Sequence, residues 1–556
     1  MLEAMTGHGA MKVTSAVIFA ILCVHTSSAC AADNSTHRPY RPGVNRPPQP
    51  VLEGRTARPM RYKAEDDGFV IQNGEERFNR PLYIGHDGAR LDAGDRPEFA
   101  FYLPGKGGVL RLGIASEGRA KWMVKADKVR ACYRDGRMIY QVSDALLDGG
   151  HIQVQTVPAA GRTAAVMRIT AKEGAAGDLL WSYGGATGER NFKGDIGYKD
   201  ISRFYGLKAG ECKGTTFDLQ QNRFVLRRDG VAVTGLVSEA HEMQRARASK
   251  WNDLEALLSS DAGSKPVVTG RSELETGTST YIALVRGAEE KLGPEELKNL
   301  FERSFRQKKK ISNRIQVDTP DPRINALVPA LCVAGDGLYD GSNWYMHGNV
   351  AWRTALPGWR CAYTGDALGW PDRTRDHILS SLRRQIKGSS AEPPARVKSE
   401  GYIKTAHYDM NLVVFDTLIR HLLWTGDREF AKKVWPNLEK HLAWEKRCFD
   451  RGGLYEAYPC IWGSDALQYS GGGAAHSTAY NFYENKMAAR IARWIGKNPE
   501  PYEAEAARIH AAMQQKLWLE QEGTYAEYKD GWGVERRHPS AALWTVYHSI
   551  DSEVPN

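Results

Sequence analysis

The sequence predicts a two-part chain, an antiparallel β-sandwich followed by an array of paired helices, and three observations predict it. Short runs of alternating apolar and polar residues, broken by glycine-rich turns, fill Tyr62 to Val285. After Asp318 the apolar period becomes helical almost throughout. The helical stretches come in pairs joined by tight turns, with long connections between the pairs. At 556 residues the chain exceeds what one hydrophobic core holds, so more than one domain is expected. A composition of 42% hydrophobic, 25% charged and 10% aromatic residues is that of an ordinary globular protein.

The first residues read as a leader. Lys12 precedes the apolar stretch Ala16–Val24 and the small residues Ser27–Ala32, which is a secretory pattern too short to span a bilayer. Translation starts at Met1 or at Met11, since Met1–Ala10 add nothing that a leader needs. Cleavage near Ala31 or Ala32 is expected. The alternative is a lipid anchor at Cys30, where Ser27 stands in place of the usual aliphatic residue. No later stretch is apolar enough for a membrane span, so the protein is expected to be exported: periplasmic, cell-surface or extracellular. Residues 33–60 carry six prolines and read as an exposed tether.

Residues 61–290 form the expected β-sandwich. Its clearest strands are Gly68–Gly74, Glu98–Leu103, Met138–Val142, His151–Val157, Ala164–Thr170 and Ser279–Val285. A linker, 291–318, follows; its helix Pro294–Lys309 places Leu297, Leu300, Phe301 and Phe305 on one stripe. In 319–556, helices are expected near 321–338, 371–387, 407–425, 428–449, 477–496 and 499–518, with a seventh starting near Pro539. The turns Thr425–Asp427 and Gly496–Pro499 join two of the pairs, while the connections between pairs are rich in Trp, Tyr, Gly and Asp. That alternation predicts stacked α-hairpins with functional loops on one side.

The net charge of +9 is spread along the chain. The run Arg306–Lys310 reads as a solvated helix end, and no nucleic-acid partner is expected. After export, Cys132, Cys212, Cys332, Cys361, Cys448 and Cys460 remain, too widely spaced for a zinc knuckle. Cys332 with Cys361 and Cys448 with Cys460 are the candidate bridges in an oxidising compartment. No phosphate loop, dinucleotide fingerprint, HExxH helix or EF-hand spacing occurs, so no cofactor and no metal site are expected.

Asp67–Tyr83 and Ala93–Gly105, with Thr425–Phe430, Trp435–Pro436, Leu442–Lys446, Gly453–Pro459 and Ser477–Asn481, resemble the six-hairpin glycosidase superfamily. Within it they resemble a bacterial family of secreted proteins catalogued mainly as a domain of unknown function. Similar phrases occur in glucoamylases, trehalases and α-L-rhamnosidases. The resemblance covers nearly everything after residue 60 and implies an (α/α)6 toroid behind the sandwich. It also implies a truncated ring, because the chain supplies about half of the helices before Asn556 and leaves one apolar flank uncovered. The implied activity is glycoside hydrolysis of a polysaccharide or oligosaccharide, inverting as such toroids generally are.

Glycoside hydrolysis needs a protonated carboxylic acid at the leaving oxygen and a second carboxylate as base or nucleophile. The aromatic connection Tyr455–Gly473 supplies Asp465 and Glu456, where aromatic walls could raise a carboxyl pKa by desolvation. Asp465 after Trp462-Gly-Ser resembles the general acid of trehalase-like relatives; by its residue type alone it is equally a turn or cap residue. Trp344, Trp352, Trp359 and Trp370 offer flat apolar faces to sugar rings, or an aromatic core between hairpins. Arg353 and Arg360 suit a uronic carboxylate or a sugar diol. Asp366, Asp372 and Asp409 are hydroxyl ligands or first-turn helix carboxylates. His407 and Tyr408 also suit the alternative of a polysaccharide lyase, which abstracts a proton beside a neutralised uronate. Trp462, with Trp532, Glu535 and His538 from a later loop, would line the same pocket. A non-catalytic carbohydrate-binding protein is the third reading.

Overall fold

The hydrophobic alternation of the first half folds into two antiparallel sheets packed face to face. The computed structural model describes residues 61–65, 68–74, 80–189, 206–240, 242–348, 353–358, 360–388, 397–404, 408–457, 472–539 and 543–555. The leader, the tether, Cys30 and Cys460 lie outside them. In spatial order the ten-stranded sheet runs Lys63–Glu65, Gly68–Gln72, Lys128–Arg134, Arg137–Ser143, His151–Pro158, Ala164–Lys172, Ser279–Arg286, Val231–Val237, Arg223–Arg228 and Thr216–Gln220. The second sheet runs Glu242–Arg247, Pro266–Leu274, Gly177–Gly184, Lys106–Ser116, Glu98–Tyr102, Arg90–Ala93 and Arg80–Tyr83, with Arg119–Trp122 pairing on Lys106–Ser116.

Period two decides which face each side chain serves. Ala165, Met167, Ile169, Ile282 and Leu284 point into the core between the sheets, beside Phe99, Leu112, Trp181 and Phe224. Their neighbours Ala164, Val166, Tyr281, Ala283 and Val285 point outwards and are equally buried. The cover on that face is helix α1, Pro294–Ser312, whose Leu297, Leu300 and Phe301 sit at i, i+3 and i+4. Pro294 is preset for the first turn, the Glu296 carboxylate accepts from the Gly293 N–H at 2.7 Å, and Lys309 and Lys310 face the negative end of the helix. The linker helix is therefore a packed third layer.

The long helices after it are α2 (Pro322–Leu338), α3 (Pro371–Leu382), α4 (Tyr408–Thr425), α5 (Arg428–Phe449), α6 (Ala475–Ile495), α7 (Glu500–Lys516) and α8 (Leu543–Asp551). Asp427 caps α5, accepting from the Phe430 N–H at 2.8 Å, and Gly496 ends α6 at φ 82°, a conformation that glycine adopts without strain. Helix α3 stops five residues before the expected position 387. Residues 383–385 turn back, and the Gln385 amide donates to the Gly401 carbonyl at 3.1 Å and the Asn437 carbonyl at 3.0 Å. Cys332 is a free thiol buried in α2, so the expected bridge to Cys361 is not made. The Cys361 thiol instead donates to the Met346 carbonyl at 3.2 Å.

Sheets and helices belong to one compact body. Lys308 Nζ donates to the Tyr83 carbonyl at 3.0 Å, Ser312 Oγ to Asp135 Oδ1 at 3.0 Å, and His86 Nδ1 to the Tyr339 carbonyl at 3.0 Å. Gly337 of α2 lies so close to the Tyr83 ring that a Cβ there would sit 2.2 Å from it. Among the described residues no helix is long and apolar enough to cross a membrane.

Candidate active site

The long connections between helical pairs meet at one end of the array. Tyr408 opens α4, Glu445 lies in the last turn but one of α5 and Asn481 in the second turn of α6; the Tyr408 hydroxyl and the Asn481 amide both donate to Glu445 Oε2, at 2.9 and 3.1 Å. The connection into α6 joins the same end, since the Ala475 N–H donates to the Glu527 carbonyl and the Lys529 N–H to the Gly473 carbonyl, each at 2.9 Å. The tight turns after α4 and α6 lie at the opposite end.

Arg360 is the sequence-predicted ligand with the most developed surroundings. Its guanidinium donates to the Tyr547 hydroxyl at 2.8 Å and to the Tyr480 hydroxyl, and one nitrogen lies 3.3 Å from His548 Nδ1. It also lies 4.9 Å from the centre of the Tyr547 ring, which is 44% exposed. The segment carrying Arg360 is held by Gly358, at φ 73°, which passes the Met410 carbonyl so closely that a Cβ would lie 1.9 Å from it. A polar seam continues along α4 from this point. Tyr363 donates to Asp416, Arg420 Nε lies 2.9 Å from Asp416 Oδ2, and Arg420 reaches Asp551 at 2.7 Å. Burial raises the Asp416 carboxyl above the usual carboxylate range despite Arg420, and raises the hydroxyls of Tyr363 and Tyr480 well above theirs.

Beneath the connections lies a second polar group with no solvent exposure. His441 Nε2 and Glu484 Oε2 are 2.9 Å apart, and His441 stacks on Phe415 with centroids 4.0 Å apart. Burial pushes His441 down to about 4 and Glu484 well above the ordinary carboxylate value. Both directions favour a neutral pair in which the Glu484 hydroxyl donates to the imidazole. Glu445 is raised to about 7 by burial, against the opposing pull of His441. His476 and His377 are likewise pushed to about 4, and His548 to about 2, by burial.

The other sequence-predicted residues are dispersed. Asp409 is fully buried beside Tyr408 in the first turn of α4. Asp366 accepts from His421 Nδ1 at 2.9 Å, about 20 Å along α4 from Tyr408 at 1.5 Å per residue. Trp344 is half-buried, edge-on to His377 at 5.0 Å and beneath Arg384 at 4.4 Å, a packing position between elements. Arg353 donates to the His86 carbonyl and so ties the connection to the sheet half. Glu456 pairs with Arg451 at 2.5 Å on the ribbon Asp450–Arg451/Leu454–Tyr455. Asp372 is in the first turn of α3. On the later ribbon, His538 stacks on Tyr528 at 4.0 Å with Nε2 3.0 Å from Asp530, Glu535 pairs with Lys529, and Trp532 is 79% exposed. Asp465, Trp352, Trp359, His407 and Trp462 lie outside the described residues; the chain carrying Asp465 and Trp462 leaves them after Ala457 and returns at Gly472.

Sequence reasoning missed Tyr480, Tyr547, His548, Asp416, Glu445 and Glu484. The available signal was polar residues on helix faces that are otherwise apolar, as with His441 and Glu445 one turn apart in α5. Among the described residues no cluster of three or more His, Cys, Asp or Glu could hold a metal ion.

A family described as a domain of unknown function (DUF4450) matches residues 103–304, within the sandwich and the first turns of α1. No curated protein sequence matches the chain. A solved bacterial glucoamylase complexed with acarbose aligns at 10% identity over 83% of this chain and 74% of that chain, with a TM-score of 0.48.

Proposed function

We propose that the protein hydrolyses glycosidic bonds in a polysaccharide or oligosaccharide, on a helical half that is part of an (α/α)6 toroid behind the β-sandwich. The observation that carries this reading is the Arg360 cluster at the loop end of the array. A guanidinium positioned by two tyrosine hydroxyls and an imidazole, beside a half-open tyrosine ring, combines a bidentate donor with a flat apolar face. That pairing grips sugar hydroxyls or a uronic carboxylate while a ring packs on Tyr547. Asp465 is the proposed general acid, on the connection that enters and leaves at this same end. Burial of the carboxyls beneath, with Glu445 at about 7, keeps that floor uncharged below neutrality and strengthens any charge interaction above it.

The test is reducing-sugar release by the full chain from a panel of neutral and uronate-containing glycans, alongside Asp465→Asn. Release from at least one glycan, lost in Asp465→Asn with the fold intact by circular dichroism, is the expected outcome. A panel left uncut would replace this reading with glycan binding without turnover.

Arg360 beside Tyr547 and His548 also favours a second reading, β-elimination, because it would neutralise a uronate next to candidate proton acceptors. Products absorbing in the ultraviolet as unsaturated uronates would assign that chemistry, and cleavage without them would assign hydrolysis. The leader supports an exported protein, and the mass of the mature N-terminus distinguishes cleavage near Ala31 from lipid attachment at Cys30.

A further inference from the structure

A crevice of about 360 Å³ opens where α1 and the end of α2 meet the sheets. Tyr83, His86, Thr163, Gln307, Lys308 and Asp336 line it. Lys308 is 7% exposed, and its one hydrogen bond among the described residues goes to the Tyr83 carbonyl at 3.0 Å. An ammonium has three N–H donors, so two remain.

The charges around it do not balance. Asp336 is the carboxylate whose field reaches Lys308, and Asp336 is already paired with Arg373 at 3.0 Å. Arg162, also lining the crevice, is paired with Glu290. Each of those pairs is neutral, which leaves the Lys308 ammonium as the uncompensated charge at the wall. Burial lowers its pKa, reflecting a desolvation cost that an arriving anion would offset. The volume lies at the lower end of the range for small-ligand pockets. At the rim the Thr163 hydroxyl and the exposed Gln307 amide can serve further oxygens.

We propose that this crevice binds a small oxyanion, a carboxylate or phosphate, with the Lys308 ammonium as its charge partner. The crevice shares no lining residue with the Arg360 cluster, and its occupancy does not depend on hydrolytic activity. Isothermal titration of the full chain with inorganic phosphate, D-glucuronate and D-glucose at one ionic strength tests it. Saturable 1:1 binding of at least one anion, with none of glucose, is expected. Phosphate alone would mark a site for free phosphate; glucuronate alone would mark one for a sugar acid. Lys308→Met is expected to weaken binding at least about 30-fold, the lower end of the range for truncating one partner of a buried charge pair.

Because Lys308 also ties α1 to the sheet, Gln307→Ala and Thr163→Val provide rim variants that leave that tie in place. They are expected to weaken the anion several-fold at unchanged melting temperature. Anions that bind no better than glucose would overturn the proposal. So would wild-type affinity in a folded Lys308→Met, or in both rim variants if Lys308→Met does not fold.

Discussion

Between pH 7 and pH 4 the wild-type chain is expected to lose about 3 kcal/mol more unfolding free energy than His377→Asn. His377 lies under Trp344 and Tyr345 at 2% exposure, and burial lowers its pKa from 6.5 to about 4. Asp340 pulls the other way and Arg384 reinforces burial. A depressed pKa means that the folded state refuses a proton that the unfolded state accepts. Its contribution is therefore complete above pH 6.5 and is lost as pH falls towards 4. Asparagine is the informative replacement because the Tyr345 N–H now donates to His377 Nδ1 at 3.2 Å, and an amide oxygen can accept in its place. The measurement is chemical denaturation of both proteins at half-unit pH steps. Parallel curves would mean that His377 is solvated or protonated in the folded protein.

Glu445→Gln is expected to act with the opposite sign, gaining about 3 kcal/mol on the wild type as pH rises from 4.5 past 7. The Glu445 carboxyl is raised from 4.5 to about 7, chiefly by burial. A raised pKa gives stability that is complete below pH 4.5 and disappears as pH climbs through the folded value. Glutamine keeps an oxygen to accept from Tyr408 and Asn481 but never ionises, so it removes the pH-dependent term and retains the two hydrogen bonds. The gap between the two proteins should open between pH 4.5 and 7 and level off above neutrality. A constant gap would mean that Glu445 ionises in the folded protein as readily as in the unfolded chain. With His377 losing stability towards acid and Glu445 towards base, the wild type should be most stable in mildly acidic solution.

Helix α5 was legible because its signals are local: Asp427 at the cap, the turn before it, and an apolar stripe that His441 and Glu445 interrupt. Pro294–Ser312 was legible as a helix joining the two halves, but the sheet face that it covers was not, since nothing in its own sequence reveals that face. The strand Lys106–Ser116 escaped period-two reading because both of its faces are buried and it carries three glycines. The Trp- and Arg-rich connection after α2 pointed to Arg360, but its partners Tyr480 and Tyr547 are 120 and 187 residues away. Arg353 and Trp344 carry the same signal; one donates to the His86 carbonyl and the other lies edge-on to His377, and an arginine beside a tryptophan has the same sequence signature in a tie as in a ligand site.

The way α1 is clasped has a calorimetric consequence. One side of that helix covers the outer face of the ten-stranded sheet, while Lys308, Ser312 and the neighbouring Gly337 and His86 contacts lock sheet to helices. Neither half can melt without exposing the apolar surface of the other. Heating the full chain should therefore give one endotherm whose van't Hoff and calorimetric enthalpies agree, where two loosely tethered domains would give two.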